Sequence, residues 1–427
     1  MLREIRLEPG QLLTPELLAR SGGISAEIAD GAAQIVDEVC LRGDKALLEY
    51  TERYDGAALD DIRVSEFEIA QAYKQVDDEL VEALRYAADR IRDFHSQHVS
   101  ESWTITDDEG VVLGKKITPI ERVGVYVPGG TAPYPSSVLM NVLPAHVANV
   151  KHIAMATPPS SDGTVNAATL VAADIAGVDD IYKIGGAQAI GALAYGTETV
   201  DAVDKIVGPG NAYVAAAKRY VDGDVGIDMI AGPSEVLVLA DEDADPRLIA
   251  IDLMAQAEHD VRAATYLVTT DPTLPGIVSE ELDKLLPNST REEITRAALT
   301  DNSLCVICET IEDAIAASDV IAPEHLEIMT DNALDVAEAL SHAGAIFVGA
   351  WTPESAGDYV AGPNHVLPTE GTARFSSPLT TEDFLKKTSI LSYTRKGLKR
   401  DQHAIEKIAD AEGFWAHKEA VNMRFSS

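Results

Sequence analysis

The chain has 427 residues, of which 46% are hydrophobic and 5% aromatic, and this predicts a globular protein with two or three domains rather than one core. Its 70 acidic and 34 basic residues give a formal net charge of −36, which argues against nucleic acid as a partner because like charges repel. No apolar run approaches the ~18 residues of a membrane span, and "MLREIRLEPG" has no apolar signal core, so we expect a cytoplasmic protein that does not bind membranes.

The acidic side chains are scattered along the chain, as in "TDDEG", "DEDADP" and "TREE", and do not form a tail. An evenly acidic surface on an ordinary apolar core indicates a protein kept soluble in high salt, where ions screen its self-repulsion. We therefore hypothesise a halophilic acidic surface. Loss of folding at low salt would support this hypothesis, and full stability there would contradict it.

Residues 1 to about 105 predict amphipathic helices, with apolar residues at helical spacing in "ISAEIADGAAQIVDEVCLRG" and "IAQAYKQVDDELVEALRYAADRIRDF". From about 119 the pattern changes to short apolar strands that alternate with helices, beginning with "RVGVYVPGG", "HIAMATPP" and "DIYKIGG". The strands "SEVLVLAD", "AATYLVTT", "LCVIC" and "AIFVG" follow, and from about 378 the pattern is again helical and charged.

Alternating strands and helices predict parallel sheets that are covered by helices on both faces. We therefore expect an α/β fold with two Rossmann-like parallel-sheet domains and helical extensions at both termini. The predicted boundaries are a helical N-terminal segment at 1–118, a first α/β domain at 119–233, a second at 234–377 and a helical C-terminal tail at 378–427.

Glycines follow two predicted strands of the first domain, in "KIGGAQ" and "IVGPGNAYV". Ligands of parallel sheets bind outside the carboxyl ends of the strands, so these turns are candidate nucleotide sites. The second turn keeps the order of strand, turn and helix but lacks the full G-x-G-x-x-G fingerprint. Glycine also occurs in such turns for conformational reasons alone, so both interpretations stay open.

Polar residues crowd the end of one predicted helix, in "LMAQAEHD" at 253–260. Gln256 and His259 are three residues apart, so a helix would project both side chains from one face. They could form a site, or simply a polar helix end with a histidine near the negative end of the helix dipole. Three more clusters are equally ambiguous, because isolated Glu-His pairs usually lie in surface loops: Glu324 with His325, Asp358 with His365, and Glu412 with His417.

Two other patterns resemble metal sites but favour structural interpretations. Cys305 and Cys308 form a C-x-x-C in a predicted buried strand, where residues three apart point to opposite faces, and no second pair completes four ligands. We interpret both as small core residues. His95 and His98 could share one helix face, but their segment is polar and lacks nearby ligands, which favours a solvated helix end.

Taken together, eight stretches between about 120 and 421 resemble the histidinol dehydrogenase family and occur in that family's order. They are "RVGVYVPGGTAPYPSSVLMNVLPA", "GGAQAIGALAYGT", "IVGPGNAYVAAAK", "IDMIAGPSEVLVLAD", "MAQAEHD", "IAPEHLEI", "GDYVAGPNHVLPT" and "EGFWAHKEAV". The resemblance implies an NAD-dependent oxidoreductase that converts L-histidinol through L-histidinal to L-histidine with two NAD⁺, in the last steps of histidine biosynthesis. It also implies a homodimer with shared active sites, in which the tail at 378–427 serves dimerisation.

The resemblance further implies one zinc ion per subunit, bound by Gln256, His259, Asp358 and His417. Histidine and carboxylate are ordinary zinc ligands, whereas the glutamine comes from the resemblance alone. The ion would orient histidinol through its imidazole and amino groups, a template role rather than activation of water.

The same resemblance implies that His325 is the general base for both oxidations and that Glu324 activates the water needed for the second. NAD⁺ is implied near Tyr126, Gln188 and Asn211, on the first domain. The implied substrate-binding residues are Ser234, Gln256, His259, His325, Asp358, Glu412 and His417. His365 ranks lower, as a group that supports a zinc ligand.

Two other functions fit some of these residues. A zinc hydrolase would use the same His, Asp and Glu types with a metal-bound water, but it leaves the glycine turns unexplained and predicts no response to NAD⁺. A non-catalytic relative that kept the fold would be expected to lose Glu324, His325 or the ligands, and all are present. NADH formation from histidinol, with and without a chelator, discriminates among the three.

Overall fold

The computed structural model describes residues 2–18, 20, 23–129 and 133–426, so Gly130, the last residue of the predicted strand segment "RVGVYVPGG", lies outside the described residues. The strands are β1 (Arg3–Arg6), β2 (Trp103–Thr106), β3 (Val112–Pro119), β4 (Arg122–Tyr126), β5 (His152–Thr157), β6 (Asp180–Lys183), β7 (Lys205–Val207), β8 (Gly226–Ile227), β9 (Glu235–Ala240), β10 (Ala264–Thr269), β11 (Ser303–Ile307), β12 (His325–Met329), β13 (Ala345–Val348) and β14 (Leu385–Ser392).

The helices are α1 (Ala26–Arg42), α2 (Asp44–Asp55), α3 (Glu66–Ala72), α4 (Asp78–Ser96), α5 (Pro135–Val147), α6 (Ala167–Ala176), α7 (Gly186–Tyr195), α8 (Ala212–Val221), α9 (Pro246–Ala257), α10 (Leu274–Leu285), α11 (Glu292–Asp301), α12 (Ile311–Ile321), α13 (Ala333–Ala339), α14 (Glu354–Tyr359), α15 (Arg395–Glu412) and α16 (Trp415–Asn422). Short 3-10 turns lie at Pro15–Leu17, Leu286–Asn288, Thr372–Arg374, Thr381–Phe384 and Met423–Phe425. None of the described helices is both long and apolar enough to cross a membrane.

Two parallel sheets organise the chain, which confirms the predicted α/β fold. One sheet has five strands in the order β6-β5-β4-β7-β8, and the other has six in the order β1-β11-β10-β9-β12-β13. The strand order reverses beside β4 in the first sheet and beside β9 in the second, and ligand crevices open at such reversals. A separate antiparallel sheet has the order β14-β3-β2.

Both parallel sheets are buried because their central strands are almost continuous apolar runs. In β5, Ile153 and Met155 belong to one hydrophobic cluster, whereas Ala154 and Ala156 belong to another on the opposite face. Helices therefore cover both faces of the sheet, as the sequence pattern predicts.

Cys305 and Cys308 are confirmed as buried structural residues. Cys305 lies in the cluster on one face of the six-stranded sheet and Cys308 in the cluster on the other, so their sulfur atoms do not converge on one ligand. Burial raises the pKa of both thiols, to about 11 for Cys308. Both are free, as is the exposed Cys40.

Both extensions are mainly helical, but each also contributes strands that the sequence pattern does not predict. Arg3–Arg6 forms an edge strand parallel to β11, with Ile5 opposite Val306. Leu385–Ser392 is a strand rather than the predicted helix, and it pairs along its whole length with β3. Both strands are rich in charged or polar side chains and largely exposed, so no apolar pattern marks them.

The prediction that His95 lies at a solvated helix end is wrong. His95 is only 4% exposed, and among the described residues its Nε2 atom has no hydrogen-bond partner. It continues the buried stripe of α4 that contains Leu84, Ala88 and Ile91, at spacings of three and four residues. Burial lowers the pKa of His95 to about 4, so it is neutral near pH 7, whereas His98 is exposed.

A buried ion pair fixes the glycine turn after β7. The Lys218 ammonium group contacts the Asp228 carboxylate and donates a hydrogen bond to Gly208 O at 2.9 Å. Asp228 Oδ2 accepts a hydrogen bond from Gly208 N at 2.8 Å, so the pair binds both polar backbone groups of this residue. Gly208 has a φ of +110°, and a Cβ there would lie 2.1 Å from Tyr126 O, which only glycine avoids.

Replacing Lys218 by Met should lower the free energy of unfolding by about 3–5 kcal/mol, because Asp228 would keep a buried charge without its partner. The double variant Lys218→Met with Asp228→Asn should recover part of this loss, since no buried charge remains. Chemical denaturation measures both quantities. A single-variant loss below about 1 kcal/mol, as for an exposed pair, would contradict this account.

Candidate active site

Two adjoining cavities lie at the carboxyl ends of the five-stranded sheet, and the smaller one also reaches the amino ends of the six-stranded sheet. The larger has a volume of about 640 Å³ and is lined by residues that include Tyr126, Gln188 and Asn211. The smaller has a volume of about 310 Å³, and Asn211 lines it as well, so the two cavities meet there. Six other predicted site residues line the smaller cavity: Ser234, Gln256, His259, Glu324, His325 and Asp358.

The two sheets present opposite strand ends to this region. In the five-stranded sheet, Tyr126 is the last residue of β4, and the turn from Gly208 to Asn211 follows β7. In the six-stranded sheet, Ser234 directly precedes β9, and His325 is the first residue of β12. The carboxyl ends of one sheet therefore face the amino ends of the other.

Helix α9 brings Gln256 and His259 to the smaller cavity. The helix starts at Pro246, which suits its first turn, after Asp245, whose carboxylate accepts a hydrogen bond from Arg247 N at 2.9 Å. It ends at Ala257, so His259 lies in the turn that follows, with its N–H donating to Gln256 O at 3.2 Å. Both side chains line the cavity, which favours a site over a merely polar helix end.

The imidazole of His325 is fixed at one nitrogen atom and free at the other. Nδ1 lies 3.1 Å from Glu235 O and 3.0 Å from Gln256 Oε1. A carbonyl oxygen can only accept, so Nδ1 carries the proton and donates it to Glu235 O. In the neutral ring Nε2 is therefore an acceptor, and this buried atom has no hydrogen-bond partner in the described part of the chain.

Three carboxylates surround His325 at distances that exceed a hydrogen bond. Glu324 Oε2 and Glu354 Oε1 lie 3.8 Å and 3.9 Å from Nδ1, and Asp358 Oδ1 lies 3.7 Å from Nε2. Burial opposes protonation, but the negative charges outweigh it and raise the pKa of His325 well above its usual value. His325 is therefore a strong proton acceptor.

Glu324 is 6% exposed, and its Oε2 atom accepts a hydrogen bond from Glu235 N at 2.9 Å. Burial raises the pKa of Glu324 to about 7, although His325 and this hydrogen bond oppose the change. A carboxylate with a pKa near neutrality can take up and release a proton at physiological pH, as general base catalysis requires.

A histidine and two carboxylates converge beside Gln256. Ligand atoms of His259, Glu354 and Asp358 all lie within 4.8 Å of one another, the arrangement expected of groups that could hold a cation. Burial opposes the charge on Asp358, but the nearby imidazoles of His325, His365 and His259 outweigh burial and lower its pKa. His365 supports the same residue, because its Nδ1 atom lies 3.1 Å from Asp358 O.

A row of buried carboxyl groups behind His325 has no counterpart in the sequence predictions. Glu354 N donates a hydrogen bond to Glu327 Oε1 at 2.7 Å, and Glu327 in turn lies beside Asp252. Burial is the largest cause that raises their pKa values, to about 8 for Glu354, 9 for Glu327 and 6 for Asp252. The sequence could have indicated Glu354 as a site residue, because it precedes Asp358 by four residues and so shares the same helix face.

Asp55 is another residue that the sequence analysis does not identify as part of the site. It lies at the end of α2 in the wall of the larger cavity, close enough to Tyr126 to affect that hydroxyl electrostatically. Its buried Oδ2 atom lacks a hydrogen-bond partner among the described residues, and burial raises the pKa of Asp55 to about 6. Tyr126 OH accepts a hydrogen bond from Gly186 N at 3.0 Å, which leaves its own proton available.

Glu412 and His417 are not brought to either cavity of this chain. Glu412 ends α15 and His417 lies in α16, and both side chains are exposed. The ring of His417 contacts the ring of Phe414, with 5.2 Å between the centroids.

Comparison with known proteins identifies the family. A family model described as histidinol dehydrogenase matches residues 18–425. A relative of that name from Clostridium acetobutylicum is 50% identical over 416 residues, which cover 97% of this chain and 96% of the relative. Another of that name, from Geobacillus kaustophilus, is 53% identical over 390 residues, which cover 91% and 92%. The chain belongs to the histidinol dehydrogenase family.

The fold leads to the same family. The crystal structure of histidinol dehydrogenase from Elizabethkingia anophelis superimposes with a TM-score of 0.94 and 40% sequence identity, over 99% of this chain and 98% of that one. Membership in the histidinol dehydrogenase family makes the chain an NAD-dependent oxidoreductase of histidine biosynthesis.

Asp55→Asn should raise the melting temperature at pH 8, and the gain should shrink as the pH falls toward 4. The pKa of Asp55 in the folded state is above its usual value, so ionisation between about pH 4 and pH 6 costs stability that the amide retains. Scanning calorimetry measures the difference, with the exposed Asp60→Asn as control. An equal gain at both pH values would contradict the buried charge as its cause.

Proposed function

We propose that this protein oxidises L-histidinol through L-histidinal to L-histidine with two NAD⁺ and one zinc ion per subunit. The observation that carries the proposal is the convergence of Gln256, His259, Asp358, Glu324 and His325 in one cavity beside a larger one. Family membership supplies the substrate. The free cysteines agree with a reducing compartment, so we propose that the enzyme acts in the cytoplasm.

The donor set fits zinc. From this chain Gln256, His259 and Asp358 would hold the ion, and His259 and Asp358 already have ligand atoms within 4.8 Å of one another. Zinc would take the amide oxygen of Gln256, because an amide NH2 group can only donate. Gln256 is fully buried, with Oε1 3.0 Å from His325 Nδ1, and its Nε2 atom has no hydrogen-bond partner among the described residues. When bound, the ion supplies positive charge that orients the imidazole and amino groups of the substrate.

His325 is the group that removes the hydroxyl proton in our proposal. Glu235 O fixes the tautomer through Nδ1, so the lone pair of Nε2 is available on the side of Asp358. NAD⁺ accepts the hydride in each oxidation. His325 must release this proton from Nε2 again before it can act as the base in the second oxidation.

Glu324 has the second role, because an aldehyde must take up water before it can lose another hydride. A carboxylate with a pKa of about 7 can accept a proton from that water. Its Oε2 atom is held by Glu235 N, which orients the carboxylate. Ser234, which precedes Glu235 and lines the same cavity, is proposed to contact the substrate.

The larger cavity is the proposed NAD⁺ site. The helices α7 and α8 begin beside it, and helix N-termini favour phosphate groups. Asn211 uses its Oδ1 atom to cap α8, which leaves its amide nitrogen to donate, and Gln188 is buried in the wall.

Asp55 offers an acceptor to ribose hydroxyl groups, and Asp55→Asn should therefore raise KM for NAD⁺ roughly tenfold.

The proposal is tested by mixing the protein with histidinol and NAD⁺ at working salt and following NADH formation. We expect two NADH per histidinol consumed, with loss of activity when a chelator removes the metal and recovery when zinc is restored. A hydrolase would form no NADH. Absence of NADH at every salt concentration would refute the proposed function.

Glu324→Gln should impair the second oxidation more than the first, because only the second requires an activated water. Supplying histidinal directly should then reveal the larger defect in kcat. His325→Asn is the comparison, with losses on the order of 10²–10⁴-fold for both substrates and full zinc content. Equal losses in Glu324→Gln with both substrates would remove its role in water activation.

We also propose that Glu412 and His417 complete the site of a second subunit. The C-terminal helices expose large apolar side chains, with Trp415 74%, Met423 72% and Ile408 61% exposed, which a partner would cover. A homodimer with two-fold symmetry would then contain two identical shared sites.

Mixing two inactive variants tests the shared site. His259→Ala and His417→Ala are each unfolded, mixed and refolded, and in a mixed dimer one site carries both defects whereas the other carries neither. Random pairing should therefore restore roughly a quarter of the parental activity. If each site belonged to one chain, every site would keep a defect, so absence of recovery in verified mixed dimers would contradict the proposal.

A further inference from the structure

A second buried ion pair lies directly behind the proposed catalytic residues. Arg20, from the segment before α1, donates from Nε to Glu235 Oε1 at 2.9 Å and from Nη2 to Glu235 Oε2 at 3.2 Å. Glu235 is 2% exposed, and the Arg20 side chain is 19% exposed. This two-pronged geometry uses the planar fork of the guanidinium group and fixes the carboxylate in one orientation.

The backbone of Glu235 contacts both proposed catalytic side chains. Its N–H donates to Glu324 Oε2 at 2.9 Å, and its carbonyl oxygen accepts from His325 Nδ1 at 3.1 Å. A displacement of Glu235 would therefore move the carboxylate of Glu324. It would also remove the hydrogen bond that fixes the tautomer of His325.

Arg20 also contacts the backbone that leads into Glu324 and His325. Its Nη2 atom donates to Ile321 O, the last residue of α12. The chain continues through Ala322, which has a left-handed φ of +46°, and Pro323 before it reaches Glu324. A single guanidinium group thus joins the start of β9 to the end of α12, and the catalytic residues are held between them.

Two other groups hold the Glu235 carboxylate but cannot replace the cation. Glu370 N donates to Oε2 at 3.1 Å, and Tyr266 OH lies 3.5 Å from Oε1. Both are neutral, so without Arg20 the buried carboxylate would keep an uncompensated charge near Glu324.

We propose that Arg20 is a positioning residue for the oxidation of histidinol, acting through Glu235 on Glu324 and His325. The inference rests on the proposed function. It also gives the segment before α1 a part in the chemistry, although none of the described residues of that segment lines either cavity.

The test compares Arg20→Lys with the parent, measuring kcat and KM with histidinol and with histidinal. Lysine keeps the positive charge but cannot make both hydrogen bonds of the planar guanidinium group. We therefore expect kcat to fall between about 10-fold and 100-fold for both substrates. KM for histidinol and its calorimetric affinity should stay within roughly threefold, because Arg20 does not touch the cavity. Arg63→Lys is the matched control, since Arg63 pairs with Asp180 at a distance from the site and its loss should leave kcat unchanged.

Chemical rescue separates positioning from general stability. Guanidinium chloride at millimolar concentration should restore part of kcat in Arg20→Ala, whereas equal sodium chloride should not. If that variant does not fold, Arg20→Met with Glu235→Gln removes both charges, and its kcat should remain low although folding is restored.

A kcat for Arg20→Lys equal to that of Arg63→Lys, at equal zinc content, would overturn the proposal. Full activity of the neutral double variant would overturn it as well. The parent enzyme is assayed alongside, so failure of the proposed function is visible separately as absence of NADH in the parent.

Discussion

The site depends on one geometric constraint: the carboxyl ends of one parallel sheet face the amino ends of another. The carboxyl ends provide glycine turns and helix N-termini, which suit a phosphate-bearing cofactor. The amino ends provide Glu324 and His325, whose backbones are fixed by pairing in the sheet, with His325 opposite Val236 and Ala345. The proposed nucleotide site and the proposed chemical site are thus built from the same kind of unit, used in opposite directions.

The second consequence of this arrangement is electrostatic. Carboxyl groups of Glu324, Glu354, Glu327 and Asp252 are buried around one histidine, and burial of such groups is costly unless a cation or a proton compensates it. Their raised pKa values show that protons supply part of that compensation in the protein alone. A divalent ion would supply more, so the same cluster whose burial costs stability also suits the metal ion that we propose.

The sequence predicts the two parallel sheets because short apolar strands alternate with helices, and it predicts the site residues because the family motifs contain them. It does not predict β14, whose mostly exposed residues pair with β3 outside the large cores. The burial of His95 was recoverable, since that residue continues the apolar stripe of α4. Arg20 and Asp55 were not, because each depends on a contact with a residue far along the chain and neither lies in a local pattern.

The strand β1 has a consequence for the order of folding. Arg3–Arg6 pairs with β11 (Ser303–Ile307), which lies roughly three hundred residues further along the chain. Closing so long a loop costs chain entropy, and contacts between residues near in sequence do not offset that cost. This edge of the sheet should therefore form late in folding. Until β1 pairs with β11, the folding chain exposes an unpaired edge of β11, and a second chain could pair with that edge instead. In the folded protein β1 covers this edge, so the backbone groups of β11 on that side are paired within the chain.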